Sequence, residues 1–353
     1  MARAELTQTE LWTAGQGAYD TYRIPALAVS AAGTVLAFCE GRRDSSSDSG
    51  QIDLLLKRSA DGGRTWGDQQ VVVTEPDMTC GNPCPVVDGR DGAIYLPFCK
   101  NRADGPEGMI CEGKAPRTVW VTCSRDDGLT WEEPRQITTE AKDPAWTWYA
   151  TGPGHGIQLT SGRLVVPCDH IVGRDLDRHR DPYHSHVIVS DDGGATWSIG
   201  GIVPEGTNEC CVVEVEGGGV YINCRNYQGE KRRAAAWSRD GGDSFTDHSW
   251  VESLVEPICQ ASMVRLPASA GPGRVLFANP ASRERERLTV RWSDDECRSW
   301  SDGRVLYDGP AAYSDLAVAG DGQILCLYER GAEGAYECLT LARFDVDWLE
   351  ARA

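Results

Sequence analysis

Ser59-Ala60-Asp61-Gly62-Gly63-Arg64-Thr65-Trp66 reads S-x-D-x-G-x-T-W. The pattern returns as Ser124-Arg125-Asp126-Asp127-Gly128-Leu129-Thr130-Trp131 and as Ser190-Asp191-Asp192-Gly193-Gly194-Ala195-Thr196-Trp197. Two degenerate copies follow, Ser238-Arg239-Asp240-Gly241-Gly242-Asp243-Ser244-Phe245 and Ser293-Asp294-Asp295-Glu296-Cys297-Arg298-Ser299-Trp300. The octet has the physics of a hairpin turn: Ser and Asp can bond the backbone of the turn, Gly permits positive φ, and the terminal aromatic packs back under its own sheet. The residues leading into the turns alternate apolar and polar, as in Ile52-Asp53-Leu54-Leu55-Leu56-Lys57 and Val187-Ile188-Val189, and so predict strands. A recurring unit of about 50 residues with several strands and one such turn is the sequence form of a propeller blade. A calcium loop would need D-x-D-x-D-G ligand spacing, which every copy lacks, so the boxes are read as structural.

Five boxes leave room for a sixth blade without one. The region from Glu5 and Leu6 to Trp12 and the strand Gln323-Ile324-Leu325-Cys326-Leu327-Tyr328 are the natural pieces to close it, because an open ring would expose a sheet edge. Helical periodicity is scarce before the last residues. The expected architecture is all-β, a six-bladed β-propeller, as one domain over residues 1–353.

Composition narrows the function class. Hydrophobic content of 41% and charged content of 25% predict a packed core. The formal charge of −18 argues against nucleic acid as a partner and against acidic membrane surfaces, so an anionic substrate would need a local cluster of Arg to override the overall field. No run approaches the length of apolar sequence that spans a membrane. Fourteen Cys are scattered through strand-like segments, and the chain opens on the polar Met1-Ala2-Arg3-Ala4-Glu5. Reduced, buried thiols and a cytoplasmic location are expected. Cys80-x3-Cys84 and Cys210-Cys211 lack a partner pair at zinc-ribbon spacing. His184-Ser185-His186 places two imidazoles on one face of a strand without a third ligand. No metal and no cofactor are expected.

Tyr22-Arg23-Ile24-Pro25, together with the repeated boxes, resembles the sialidase (neuraminidase) family of six-bladed propellers, and the resemblance covers essentially the whole chain. It implies an exo-α-sialidase that hydrolyses terminal sialic acid from sialoglycoproteins, gangliosides or sialyl-oligosaccharides, with retention and through a sialyl-tyrosine intermediate. Three Arg would grip the sugar carboxylate. Arg23 matches the first, and Arg225 in Cys224-Arg225-Asn226 the second. For the third, Arg283, Arg285 and Arg287 compete; the family pattern, which places the Arg three residues before a Leu, selects Arg285. Arg's planar fork suits a carboxylate and stays ionised.

In the polar loop Glu40–Gly50 the family carries an acid/base Asp. Spacing to the next strand favours Asp48 over Asp44, and Arg42 matches an Arg near the carboxylate pocket. Tyr313 in Ala312-Tyr313-Ser314-Asp315 is the implied nucleophile. Asn208-Glu209-Cys210-Cys211-Val212-Val213-Glu214 offers two carboxylates, of which Glu214 matches the partner of Tyr313 and Glu209 a binding role. Glu329 in Tyr328-Glu329-Arg330 matches a Glu that orients Arg23. The segment Asn101–Lys114 could rim the pocket, and Trp146, Trp148 and Tyr149 could line an acceptor site. A trans-sialidase, a Kdn-preferring sialidase and a non-catalytic glycan-binding propeller are the alternatives; the last would predict loss of Tyr313, Glu214 or an Arg.

Overall fold

The boxes fold as their composition demands. In a computed structural model, which describes residues 6–172, 183–204, 206–228, 231–268 and 273–351, the octet Ser donates its hydroxyl to the octet Asp in all five copies, at 2.6 to 2.9 Å. The same carboxylate then accepts both the backbone N–H and the hydroxyl of the seventh residue, as Asp61 does from Thr65 at 2.8 and 2.6 Å. Positions four and five always lie at positive φ. Gly62 (71°) and Gly63 (86°) meet this freely, whereas the fifth copy places Glu296 (58°) and Cys297 (65°) there. The turn therefore tolerates loss of its glycines so long as Ser and Asp hold the loop.

Each turn joins the third strand of a blade to its outer fourth strand. Blade one is Thr21–Val29, Val35–Arg42, Ile52–Ser59 and Gln70–Val73. Blade two joins it through one parallel pair, Ile52 with Thr79, and contains Met78–Gly81, Val86–Val87, Ile94–Arg102, Thr118–Ser124 and Arg135–Gln136. Blade three is built on Trp146–Thr151, Ile157–Gln158, Leu164–Val172, Tyr183–Ser190 and Ser198–Ile202, and blade four on Thr207–Val215, Gly219–Asn226, Arg232–Ser238 and Thr246–Val255. One long strand, Arg304–Val318, ends blade five behind Ser262–Arg265, Val275–Pro280 and Glu286–Ser293, and then opens blade six. Blade six continues through Ile324–Arg330 and Cys338–Phe344 to the N-terminal strand Thr7–Thr13. The ring is thus a six-bladed propeller. Its last blade takes the N-terminal strand antiparallel to Cys338–Phe344, from Thr7 opposite Arg343 to Thr13 opposite Cys338. Both pieces expected to close the ring lie in this blade, with Cys338–Phe344 between them.

Apolar faces of neighbouring blades pack on one another. Leu27, Ala37 and Leu55 of blade one meet Leu325, Leu327 and Leu341 of blade six, all buried, and each such Leu contributes about 1.5–3 kcal/mol. All fourteen cysteines are buried and none is in a disulfide. No helix among the described residues is long and apolar enough to cross a membrane.

Near the axis, polar groups replace apolar packing. Asp315 accepts the N–H of Leu27 at 2.7 Å and pairs with His155 Nδ1 at 2.8 Å, tying blades one, three and six together. Gln260 adds blade five by donating to Pro153 O at 3.1 Å and Ser314 O at 2.9 Å.

Blade three also buries two imidazoles. His170 and His186 meet Nδ1 to Nδ1 at 3.0 Å, and His170 stacks on Trp146. Burial, then His184, pushes His186 down to about 3; burial, then His186 and His184, pushes His170 lower still. A depressed histidine contributes stability that is complete above its unfolded value and is lost as pH falls towards the folded one. Between pH 7 and pH 4, His186 should therefore remove about 3 kcal/mol of stability, given an unfolded value of about 6.5. Unfolding free energies from urea titrations at the two pH values should show His186→Gln losing less than the wild type by that amount. Equal losses would take His186 out of the acid sensitivity.

Candidate active site

The innermost strands all run the same way, so their first residues collect at one mouth of the ring. Arg23 stands near the start of Thr21–Val29 and Glu209 near the start of Thr207–Val215, while Tyr313 begins the inner part of Arg304–Val318. Each lies at a shift in strand register: between Arg23 and Ala26, between Thr207 and Cys210, and between Ala311 and Ser314. Such irregularities re-aim a side chain that a regular ladder would point elsewhere. Ile24 is at φ 60°, a costly conformation for a β-branched residue, and its N–H is held by Glu329 at 3.0 Å.

Glu329 is fully buried and serves two strands at once. It accepts Arg23 Nε at 3.0 Å and Nη2 at 3.3 Å, and it accepts the backbone N–H of Tyr313 at 3.1 Å. The Arg23 guanidinium then lies 5.0 Å from the Tyr313 ring centroid and 4.1 Å from that of Tyr336. Arg225 donates to Glu209 at 2.7 Å, to the Tyr313 hydroxyl at 3.2 Å and to Tyr227 at 2.8 Å. Arg285 stands 5.5 Å from the Tyr313 ring and donates to Tyr336 at 2.5 Å, while its neighbours Arg283 and Arg287 are exposed. Three guanidinium groups thus surround one tyrosine.

The Tyr313 hydroxyl donates to Glu209 Oε1 at 2.5 Å. Burial, and then the Glu209 charge, hold the phenol well above its ordinary pKa, against the opposing pull of Arg225 and Arg23. This corrects the expectation for Glu214. Five residues of strand, about 16 Å, separate it from Glu209. Its carboxylate accepts the Thr160 N–H at 3.0 Å and hydroxyl at 2.9 Å, on the side of the ring that carries the boxes. Glu209, expected in a binding role, is the carboxylate beside Tyr313.

Asp48 lies on the exposed loop at the mouth, with its side chain 66% exposed, and receives Arg42 at 2.8 Å and Arg23 at 3.2 Å. Partial loss of water at the cavity mouth works against ionisation, yet Arg42 and Arg23 prevail and hold this largely exposed carboxyl below the usual range. Arg42 is itself buried and fixed by Glu40 at 2.7 Å. Asp44 is exposed on the same loop and does not line the cavity.

These groups line a cavity of about 280 Å³, near the lower end of small-molecule sites at about 300 Å³. Two larger hollows, of about 1240 and 1000 Å³, lie away from Tyr313, and Glu214 lines both. Glu107, from the segment Asn101–Lys114, joins the small cavity and accepts the hydroxyl of Tyr183. Trp148 also lines it, whereas Trp146 and Tyr149 pack in the core of blade three.

Arg117, Asp169, Tyr227 and Tyr336 are lining residues that no sequence motif announced. The Arg117 guanidinium stacks 4.3 Å from the Trp148 ring centroid and bonds only neutral partners, the carbonyl of Tyr149 at 2.6 Å and the side chains of Asn101 and Asn82. Neither Arg117 nor Arg285 has a carboxylate within ion-pair distance among the described residues, so two guanidiniums of the cavity are left without an ion-pair partner in an acidic protein. Such unpaired guanidiniums suit an anion. No cluster of three or more His, Cys, Asp or Glu side chains among the described residues is arranged to hold a metal ion.

Comparison with known proteins bears on this geometry. Residues 33–326 match the family model of the BNR repeat-like domain. An exo-alpha-sialidase of Aspergillus fumigatus is 33% identical over 94% of this chain and 85% of its own length. Sialidase-3 of Bos taurus is 33% identical over 91% of this chain and 88% of its own. Among solved structures, Hadza microbial sialidase Hz136 superposes with a TM-score of 0.87 at 28% identity, over 97% of this chain and 69% of that one.

Proposed function

The chain belongs to the sialidase family of glycoside hydrolases, and from that premise we propose that it is a retaining exo-α-sialidase in which Tyr313 attacks the sugar and Glu209 takes its proton. The observation that carries the reading is the hydroxyl of Tyr313, bonded to Glu209 at 2.5 Å beneath Arg23, Arg225 and Arg285. Sialic acid is a 2-keto acid whose anomeric carbon already bears a carboxylate. A carboxylate nucleophile would approach against that charge, whereas a phenol arrives neutral. Sialidases are a known exception to the two-carboxylate scheme in using a tyrosine.

Arg23, Arg225 and Arg285 bind the substrate carboxylate through paired N–H groups. That incoming charge offsets part of the field of Arg42 and Arg23 that holds Asp48 ionised, which favours the protonated carboxyl the first step needs. In the first step the Tyr313 oxygen forms a bond to the anomeric carbon while its proton passes to Glu209. The bond to the aglycone breaks, and Asp48 protonates the departing oxygen. In the second step Asp48 takes a proton from water, the water oxygen bonds to the anomeric carbon, and the Tyr313 oxygen leaves and recovers its proton from Glu209. Two inversions give net retention. The substrates are glycoconjugates that end in sialic acid.

The test is hydrolysis of a fluorogenic α-sialoside, with the released sugar followed by NMR. Fluorophore release with the α-anomer appearing first is expected. A folded protein that releases no fluorophore, or one that yields the β-anomer first, overturns the reading.

A further inference from the structure

Asp169 sits on the strand Leu164–Val172, between Ala150 and Ser185 in the ladder, and lines the cavity from blade three. Blade three stands across the ring from blade six, which carries Tyr313. The side chain is 1% exposed. Its Oδ2 accepts the Trp148 indole N–H at 3.0 Å, and its Oδ1 has no partner among the described residues. A buried carboxyl with one oxygen unbonded is costly unless a ligand completes it.

We propose that Asp169 is a specificity-determining residue whose carboxyl hydrogen-bonds a neutral oxygen on the part of the sugar that faces away from the three arginines. The inference rests on the sialidase reading and adds to it a contact on the opposite wall. The direction of that bond follows from the surroundings. Glu209 on blade four and Glu107 on the short helix Glu107–Cys111 both oppose a negative charge at Asp169, while the Trp148 indole N–H and Arg225, the latter already paired with Glu209 at 2.7 Å, favour one. Arg117 lines the same cavity behind the Trp148 ring, and among the other titratable neighbours Tyr227 at the cavity and Cys111, Tyr149 and Cys168 behind it are held neutral by burial. Burial first, then Glu209, raises Asp169 well above the ordinary carboxylate range, which favours its protonated form. With Oδ2 accepting from Trp148, the proton belongs on Oδ1, and Oδ1–H is a donor. Its partner is a hydroxyl or carbonyl oxygen, since the sugar's single carboxylate is held by the arginines.

A carboxyl raised in this way loses its donor as pH climbs through its folded value, so substrate binding weakens on the alkaline side. Asn supplies an N–H at the same place and cannot ionise; Ala supplies nothing. With the fluorogenic α-sialoside as probe, steady-state kinetics from pH 5 to pH 9 should show Asp169→Ala raising KM about tenfold, with kcat changed less. Asp169→Asn should keep KM within about threefold at neutral pH and lack the alkaline rise in KM that the wild type shows. If Asp169→Ala does not fold, the pH profile of Asp169→Asn decides by itself. A wild type that turns over the sialoside while the variants superimpose on it in KM and pH dependence overturns the assignment alone. A folded wild type that turns over no sialoside overturns the sialidase reading and this assignment with it.

Discussion

Tyr313→Phe is expected to lower kcat/KM for an α-sialoside by about three orders of magnitude or more, the scale of loss when a nucleophile acting in concert with its base is removed. The change deletes one oxygen. Arg23, Arg225 and Arg285 keep their other partners, Glu329, Glu209 with Tyr227, and Tyr336, so the carboxylate site persists and KM should move little. The fall belongs in kcat, which separates a chemical role from a binding one. A phenol this deeply buried rests protonated, and its reactivity comes from proton transfer to Glu209 as it attacks. Full activity in the variant, with unchanged circular dichroism and substrate affinity, would remove Tyr313 from the chemistry.

Glu209→Gln carries the second large effect, a fall in kcat of about 10²–10⁴-fold, the range for loss of a positioned general base. The amide can still bond the Tyr313 hydroxyl and cannot take its proton. Glu214→Gln is the internal comparison. Its carboxylate bonds Thr160 on the far side of the ring, so kcat/KM should stay within about threefold of the wild type. Measured side by side on one substrate, the pair distinguishes the two carboxylates of a single strand. Large loss in Glu214→Gln with little in Glu209→Gln would reverse the assignment.

That pair also marks where a motif misleads and where the same sequence held the remedy. The run from Asn208 to Glu214 presents two acids, and a family pattern by itself does not say which end of the strand faces the site. The turn at Glu216–Gly218 does: counting back from it pairs Glu214 with Val220, near the turn, and Cys210 with Cys224, near the open end. Since Arg225 follows Cys224, the acid beside it must be Glu209. The register shift between Thr207 and Cys210 then lets Glu209 turn into the mouth. Arg285 emerged from three adjacent candidates by its motif, and the structure brings that one beside Tyr313.

Asp169 and Arg117 were not legible at all. An acid in Pro167-Cys168-Asp169-His170 reads like any strand residue, and nothing near it in sequence says that Trp148 will bond one oxygen and leave the other bare. Arg117 precedes a strand and looks like a surface cation, yet it is buried against Trp148.

What the sequence determined by itself is the unit of the fold. Each box closes on its own side chains within four residues, so its Ser, Asp and Thr specify the turn wherever the unit is placed, and strand alternation supplies the blade around it. What only the tertiary structure decided is which charges meet. Arg23 finds Glu329 at a separation of 306 residues and Tyr313 finds Glu209 at 104, both through closure of the ring. Buried ions must have partners, and in a propeller those partners come from different blades. The register of each inner strand at the mouth therefore fixes the chemistry.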